Sequence, residues 1–218
     1  MAERTRIFRG CPMRNAVSPF NVHQVFLNFR GEELRYNFVS HLTDAFERQG
    51  IKFFIDKNEQ RGEDLKHIFV RIKESRIALA IFSPSYAESK WCMDELVMMN
   101  NLADHGKLRV IPIFYKVDAD DVRKPTLDSE FGRNFQKLAE DFSKHQVKKW
   151  KKALKRICDK MGLPLEEKSS ESDFVDEIVK GVKKLEDAIG LEEEEKPFSR
   201  EKIKRKARNL NKRLRRYI

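Results

Sequence analysis

Short apolar runs alternate with amphipathic stretches along most of the chain. The apolar runs at residues 25–29, 51–55, 76–82 and 108–115 predict β-strands, and residues 163–165 predict a short edge strand in which Pro164 is tolerated. Helical spacing predicts helices over residues 36–49, 65–74, 85–104, 129–143, 147–161 and 174–185. Strand and helix alternate, so we predict an α/β fold with a five-stranded parallel sheet and helices on both faces.

In folds of this kind, ligands bind at the carboxyl ends of the strands. The loops that leave those ends are residues 30–35, 56–64, 83–86 and 116–124. Arg30, Gly31 and Glu32 leave the first strand, where glycine permits close backbone approach and arginine suits phosphate. The polar loop 56–64 is suited to a lid or a contact surface, but, taken alone, both loops are more often ordinary connections.

The positive charge of the chain is concentrated near its C-terminus. Lys and Arg total 45 and Asp and Glu total 35, a net charge of +10, yet residues 198–218 hold ten basic residues and one acidic residue. The body is therefore almost neutral. We expect an extension over residues 1–22, a domain over 23–190 and an acidic-then-basic tail over 191–218.

The basic tail also carries apolar residues at helical spacing: Ile203, Ala207, Leu210, Leu214 and Tyr217. This pattern is compatible with a nuclear-import signal, a membrane-surface helix, a nucleic-acid contact or a solvated tail. Only three cysteines occur (Cys11, Cys92 and Cys158), and no apolar run is long enough to cross a membrane. We expect a cytoplasmic protein that also enters the nucleus if the tail acts as a signal.

Several common sites are not indicated. The chain lacks the phosphate-binding P-loop motif and a glycine-rich dinucleotide fingerprint, and its five histidines are scattered without metal-ligand spacing. Ser83 directly follows the third predicted strand, at the position where a phospho-acceptor receiver needs an aspartate. We therefore predict no metal site.

The helix predicted from Ser85 holds the most informative carboxylate. Ser85 and Glu88 have the spacing of a capping box. At about 100° per residue, Glu95 falls in the middle of an apolar arc near Trp91, whereas Asp94 falls on the polar face. A carboxylate at such a position is either functional or merely extends out of an apolar helix surface.

Several segments in order resemble a plant Toll/interleukin-1 receptor (TIR) domain over residues 23–188. They are residues 25–32 (VFLNFRGE), 40–42 (SHL), 50–56 (GIKFFID), 61–63 (RGE), 74–77 (ESRI), 83–96 (SPSYAESKWCMDEL), 111–115 (IPIFY) and 121–124 (DVRK). The opening is especially similar to the TIR part of plant TIR–lectin proteins of the phloem-protein type. The chain departs from the usual pattern at Asn28, where serine is common, and at Glu33, Leu34, Met93 and Ala119. The changes at Glu33 and Leu34 leave the preference between NAD+ and NADP+ open.

The resemblance implies a flavodoxin-like fold and cleavage of NAD+, or of NADP+, at the nicotinamide–ribose bond. The products would be ADP-ribose or cyclic and variant forms that signal in plant immunity and cell death. It implies that Glu95 is catalytic and that the substrate-binding residues are Arg30, Gly31, Glu32, Gly62 and Trp91. NAD+ is then a substrate, and no cofactor is expected.

The resemblance also implies self-association, with Ser40 and His41 contributing one surface against the last helix. It indicates a TIR-only protein that contacts other TIR-containing immune receptors. An alternative from another functional class is a non-catalytic adaptor that recruits such receptors through TIR–TIR contacts.

Overall fold

The computed structural model describes residues 25–55, 65–165 and 169–195. The strands are β1 (Val25–Asn28), β2 (Phe53–Ile55), β3 (Ile77–Phe82), β4 (Arg109–Phe114) and β5 (Leu163–Pro164). The helices are α1 (Gly31–Leu34), α2 (Phe38–Arg48), α3 (Leu65–Glu74), α4 (Lys90–Asp104), α5 (Ala119–Arg123), α6 (Glu130–Glu140), α7 (Lys144–Cys158) and α8 (Glu171–Glu195). A single 3₁₀ turn, Tyr86–Glu88, precedes α4.

The five strands form one parallel sheet in the order β2-β1-β3-β4-β5. Every residue of β1 and β3 is buried, as the continuous apolar runs predict for central strands. The short β2 and β5 lie at the two edges. This order is the flavodoxin-like arrangement, so the predicted fold class is confirmed.

Helices cover both faces of the sheet. On one face, α2 and α8 pack through side chains such as Phe38 and Phe174, whose rings lie 5.8 Å apart. On the other face, α3, α4, α6 and α7 bury a second core that includes Ile72, Phe131 and Trp150. Both cores therefore form against the same sheet, which fixes the positions of the loops at its carboxyl edge.

The start of α4 differs from the prediction. The prediction that Ser85 and Glu88 form the capping box of this helix is wrong. Ser89 is the N-cap of α4, and its Oγ accepts a hydrogen bond from the Cys92 N–H at 3.3 Å. Ser89 has an extended backbone (φ −94°, ψ 111°), which separates the 3₁₀ turn from α4. The predicted loop 30–35 likewise contains the short helix α1, and the loop 116–124 contains α5.

The last helix is longer than its apolar spacing predicts. It begins at Glu171 and continues to Glu195, beyond the domain boundary expected near Leu191. Arg109, at the start of β4, pairs with Glu192 at 2.6 Å, so this end of α8 contacts the sheet layer. The domain limits at residues 22 and 191 remain predictions, and the basic tail lies outside the described residues. Within the described ranges, no helix is both long and apolar enough to span a bilayer.

Candidate functional site

The candidate site lies where the carboxyl ends of β1 and β3 meet the first turns of α4. Asn28 is the last residue of β1 and pairs in register with Ala80 of β3. Arg30 and α1 follow β1, whereas the 3₁₀ turn and α4 follow β3. Parallel pairing therefore places these two loops side by side at the ligand-bearing edge of the sheet.

Glu95 is a buried carboxylate at this edge, with 7 % of its surface exposed. Its Oε2 accepts a hydrogen bond from Asn28 Nδ2 at 2.8 Å. Six residues of α4 are buried: Cys92, Met93, Glu95, Leu96, Met99 and Asn100. Glu95 lies at the margin of this buried face, because Trp91 on its other side is 49 % exposed.

Asn28 holds Glu95 as part of a buried hydrogen-bond network. Its Nδ2 also approaches the Cys92 carbonyl oxygen at 3.3 Å, and its Oδ1 accepts from the Tyr86 hydroxyl. The Tyr86 hydroxyl also lies 3.1 Å from the Cys92 carbonyl oxygen. Because a hydroxyl donor faces Oδ1, the amide has one favourable orientation, and that orientation points its N–H groups at Glu95.

Tyr86 is fully buried beneath the site. Burial raises the pKa of its phenol well above the usual value, and electrostatic interactions with the Cys92 and Glu95 side chains raise it further. The hydrogen bond to Asn28 opposes the shift. Tyr86 is therefore a neutral donor that fixes Asn28, a role that its position in a predicted helix start does not reveal.

Arg30 forms a second cluster above the network. Its Nη2 contacts Glu32 Oε2 at 2.7 Å and Glu88 Oε2 at 3.0 Å. These three residues line a cleft of about 400 Å³ together with Pro84, Ser85 and Glu130. The lining thus carries one cation and three carboxylates, so phosphate bound to Arg30 must compete with glutamates that already occupy it.

The predicted substrate residues are only partly brought together. Arg30 and Glu32 line the cleft, and Gly31 begins α1 beside them. Trp91 lies on the first turn of α4, where Lys90 Nζ is 5.7 Å from its ring centre. Neither Trp91 nor Glu95 lines the cleft itself. Gly62 lies outside the described residues.

Ser40 and His41 lie on α2, away from the cleft. A groove of about 320 Å³ between α2 and α8 is lined by His41, Asp44 and Glu171 among others. Ser40 Oγ donates to the Asn37 carbonyl oxygen at 2.7 Å. Glu171 accepts from Tyr115 Oη at 2.6 Å, which lowers the pKa of the Glu171 carboxyl. The surface predicted for self-association is therefore continuous with α8 and rich in charge.

Asp94 precedes Glu95 on α4, and the helical spacing predicts that it lies on the polar face. In the structure its carboxylate contacts side chains of α4 and α7. Its Oδ1 accepts from Gln146 Nε2 at 2.7 Å and from Trp150 Nε1 at 2.9 Å. Lys90 Nζ pairs with its other oxygen at 3.1 Å. Asp94 therefore joins α4 to α7, and two consecutive carboxylates face different surroundings.

The comparisons with known proteins agree with this architecture. The TIR domain family profile matches residues 22–211. The chain is 55 % identical over 164 residues to disease resistance protein RBA1 of Arabidopsis thaliana, covering 75 % of this chain and 45 % of that protein. It is 46 % identical over 167 residues to PHLOEM PROTEIN 2-LIKE A5 of the same plant, covering 75 % of this chain and 40 % of that protein. The chain thus spans less than half of each of these two relatives.

Among solved structures, the chain resembles the TIR domains of the activated Roq1 resistosome that directly recognizes the pathogen effector XopQ. The TM-score is 0.65 at 34 % identity, and the match covers 73 % of this chain and 99 % of the other. The residues matched by the family profile include β1, the Arg30 loop and α4, which form the site described above. The chain therefore belongs to the TIR domain family.

Proposed function

We propose that this protein cleaves NAD+ at the bond between nicotinamide and ribose, with Glu95 as the catalytic carboxylate. The observation that carries the proposal is the buried Glu95 carboxylate, oriented by the Asn28 amide at the carboxyl edge of the sheet. A second support is the adjacent cleft with Arg30, a group suited to phosphate. Membership of the TIR family, which has NAD+-cleaving members, supports the same assignment.

The chemistry requires little proton transfer. When the glycosidic C–N bond breaks, its electron pair remains on the nitrogen of nicotinamide, which leaves as a neutral molecule. The ribose carbon becomes oxocarbenium-like, as in glycoside cleavage. A carboxylate beside the sugar stabilises this developing cation and accepts a hydrogen bond from a ribose hydroxyl. Glu95 fits that role because Asn28 fixes the orientation of the carboxylate before the substrate binds.

The nucleophile that then attacks the ribose carbon sets the product. Water gives ADP-ribose and releases one proton to solvent, whereas an atom of the same or another nucleotide gives a cyclic or transferred product. Arg30 would hold the diphosphate after exchanging Glu32 or Glu88 for phosphate oxygens. Gly31 at the start of α1 allows the backbone to approach the nucleotide, and the exposed Trp91 offers an aromatic face.

The direct test is nicotinamide release by the purified full chain. We expect wild-type protein to release nicotinamide from NAD+, and Glu95→Gln to lower turnover by at least about a hundredfold. The amide that this substitution introduces keeps an oxygen that can accept from Asn28, so a folded variant is expected by circular dichroism. A folded Glu95→Gln variant with unchanged turnover would overturn the catalytic assignment. Absence of nicotinamide at every protein concentration would instead favour the non-catalytic adaptor.

We also propose that the active form is self-associated and acts in plant defence signalling. The similarity to a disease resistance protein and to the TIR domains of a resistosome supports this assignment. His41 faces the groove beside α8, and its replacement by Ala should weaken assembly. Turnover per protein should then rise less steeply with concentration than in wild type. His67→Ala is the matched control, because His67 is an exposed histidine on α3.

A further inference from the structure

The exposed side of α7 is a dense cationic surface. Seven basic residues lie between Lys144 and Cys158, and this helix contains no carboxylate. All seven are exposed: Lys144, Lys148, Lys149, Lys151, Lys152, Lys155 and Arg156. At about 100° per residue they occupy an arc of about 160°, along a helix about 22 Å long. We call this arc the α7 basic face.

The basic face is fixed in place by the core. Trp150, Leu154 and Ile157 on the opposite side of α7 are fully buried, so the helix cannot rotate its lysines inward. Among the described residues, only Arg156 of the seven has a carboxylate partner within ion-pair distance, Asp104. Lysines four apart repel one another, as between Lys148 and Lys152. An external polyanion would relieve this repulsion.

The chemistry of the face favours an anionic membrane surface over base recognition in a nucleic-acid groove. The opposite side of α7 packs against the core, so the basic face is a convex surface along one side of the helix. Six of its seven cations are lysines, which act as point charges. Gln146, the amide on this helix, is already bonded to Asp94. Met161, three residues beyond the helix, is 96 % exposed.

We propose that the α7 basic face docks this protein on an anionic phospholipid membrane. The lysine ammonium groups contact headgroup phosphates and carboxylates, and Met161 enters the boundary between headgroups and acyl chains. Each lysine that reaches the surface strengthens binding by about fivefold at physiological salt. The attraction weakens as salt is added because the charges are exposed. This inference is independent of the proposed NAD+ cleavage.

The test is binding of the full chain to phosphatidylserine-containing vesicles, with pure phosphatidylcholine vesicles as the reference. The variant combines Lys148→Glu, Lys152→Glu and Lys155→Glu, which keep good helix formers at exposed positions. The control combines Lys52→Glu, Lys180→Glu and Lys184→Glu, which make the same charge change outside α7. The basic tail is common to all three proteins.

We expect the α7 variant to bind at least about tenfold more weakly and the control to stay within about twofold of wild type. Met161→Ser should weaken vesicle binding by a few-fold without changing its salt dependence. A triple Lys→Gln variant at the same α7 positions repeats the test if the Glu variant does not fold.

Four outcomes would overturn the proposal. Unchanged vesicle binding by the α7 variant would assign the attraction to another part of the chain. An equal loss in the control would show that only net charge matters. A loss of binding to a labelled RNA duplex without a loss on vesicles would assign the face to nucleic acid. A loss of self-association in sedimentation, with vesicle binding retained, would assign it to a contact between copies.

Discussion

The side-chain amide of Asn28 donates to the carboxylate of Glu95 at 2.8 Å, across 67 positions of the sequence. The two residues belong to different elements, since Asn28 ends β1 and Glu95 lies in the second turn of α4. Both are buried, so this contact supplies a hydrogen-bond partner to polar groups whose burial without one would be costly. The relationship explains how a carboxylate on the buried side of α4 is held in a fixed direction.

Replacing Asn28 by Asp should make folding stability strongly dependent on pH. Two carboxylates at hydrogen-bond distance cannot both ionise without repulsion, so the pKa of the pair rises in the folded state. A raised folded-state pKa means that stability is retained at acidic pH and lost as pH rises. We expect a loss of about 3 kcal/mol at neutral pH relative to wild type, measured by urea unfolding across pH.

Asn101→Asp is the control for this series, because Asn101 is exposed on the same helix. Its stability should stay within about 0.5 kcal/mol of wild type at neutral pH. If Asn28→Asp and Asn101→Asp show the same pH dependence, the Asn28–Glu95 contact does not contribute as described.

Tyr86→Phe should reduce stability by about 1–3 kcal/mol, because it leaves the buried Asn28 Oδ1 without its hydroxyl donor.

The raised pKa of Tyr86 should also make the stability of the wild-type protein depend on pH in the alkaline range. Above the ordinary tyrosine pKa the unfolded state loses this proton while the folded state retains it, so wild-type stability falls as pH rises. Tyr86→Phe should show a smaller fall in denaturant unfolding at alkaline pH. Tyr36→Phe, at a highly exposed tyrosine, should behave as wild type.

The hydrophobic pattern was sufficient to predict the fold because each central strand is a continuous apolar run. β1 and β3 are buried at every position, and β4 is buried at every position after Arg109. Helix ends were predicted less well, because a cap depends on local backbone geometry. Ser85 and Ser89 are both serines near α4, but only the extended backbone of Ser89 directs its hydroxyl at the Cys92 N–H.

The sequence predicted a residue of the candidate site only where the helical pattern around that single residue is unusual. Glu95 stands out as a carboxylate beside apolar helix positions, and the buried state of its side chain confirms that it is not on the solvated face. Its partner Asn28 is a polar residue at the end of an apolar strand. Polar residues occur at strand ends for many reasons, so this position alone does not indicate a contact with Glu95. Tyr86 donates a hydrogen bond to Asn28, and Glu88 forms an ion pair with Arg30. Both contacts join residues that are far apart in the sequence. Helical or strand periodicity carries no information about such contacts.

Arg30 and Glu88 should have opposite effects on the Michaelis constant for NAD+. Arg30→Ala removes the cation of the cleft and should raise KM by about tenfold or more. Glu88→Gln removes one of the two carboxylates that hold Arg30 and should lower KM by a few-fold. Steady-state nicotinamide release measures both.

Arg71→Ala is the control for this pair, because Arg71 forms an exposed ion pair with Glu74 at the end of α3. Its KM should equal that of wild type. An unchanged KM in Arg30→Ala would remove Arg30 from the substrate-binding residues, and a raised KM in Glu88→Gln would mean that this glutamate binds substrate instead of restraining Arg30.

Substitutions of the neighbouring residues Asp94 and Glu95 should have different effects, one on the free energy of unfolding and the other on turnover. Asp94→Ala leaves the fully buried Trp150 without an acceptor for its indole N–H and also frees Gln146. We expect it to lower the free energy of unfolding by about 2–3 kcal/mol while turnover per folded protein stays within about threefold of wild type. Glu95→Gln should lower turnover and leave the free energy of unfolding nearly unchanged, because its side chain keeps an acceptor for Asn28 but loses the charge that stabilises the sugar cation.

Urea unfolding and nicotinamide release, measured on the same preparations of the two variants, give the free energy of unfolding and the turnover. If Asp94→Ala abolished turnover in a protein that unfolds like wild type, the catalytic carboxylate would be Asp94, and the contact between α4 and α7 would belong to the active site.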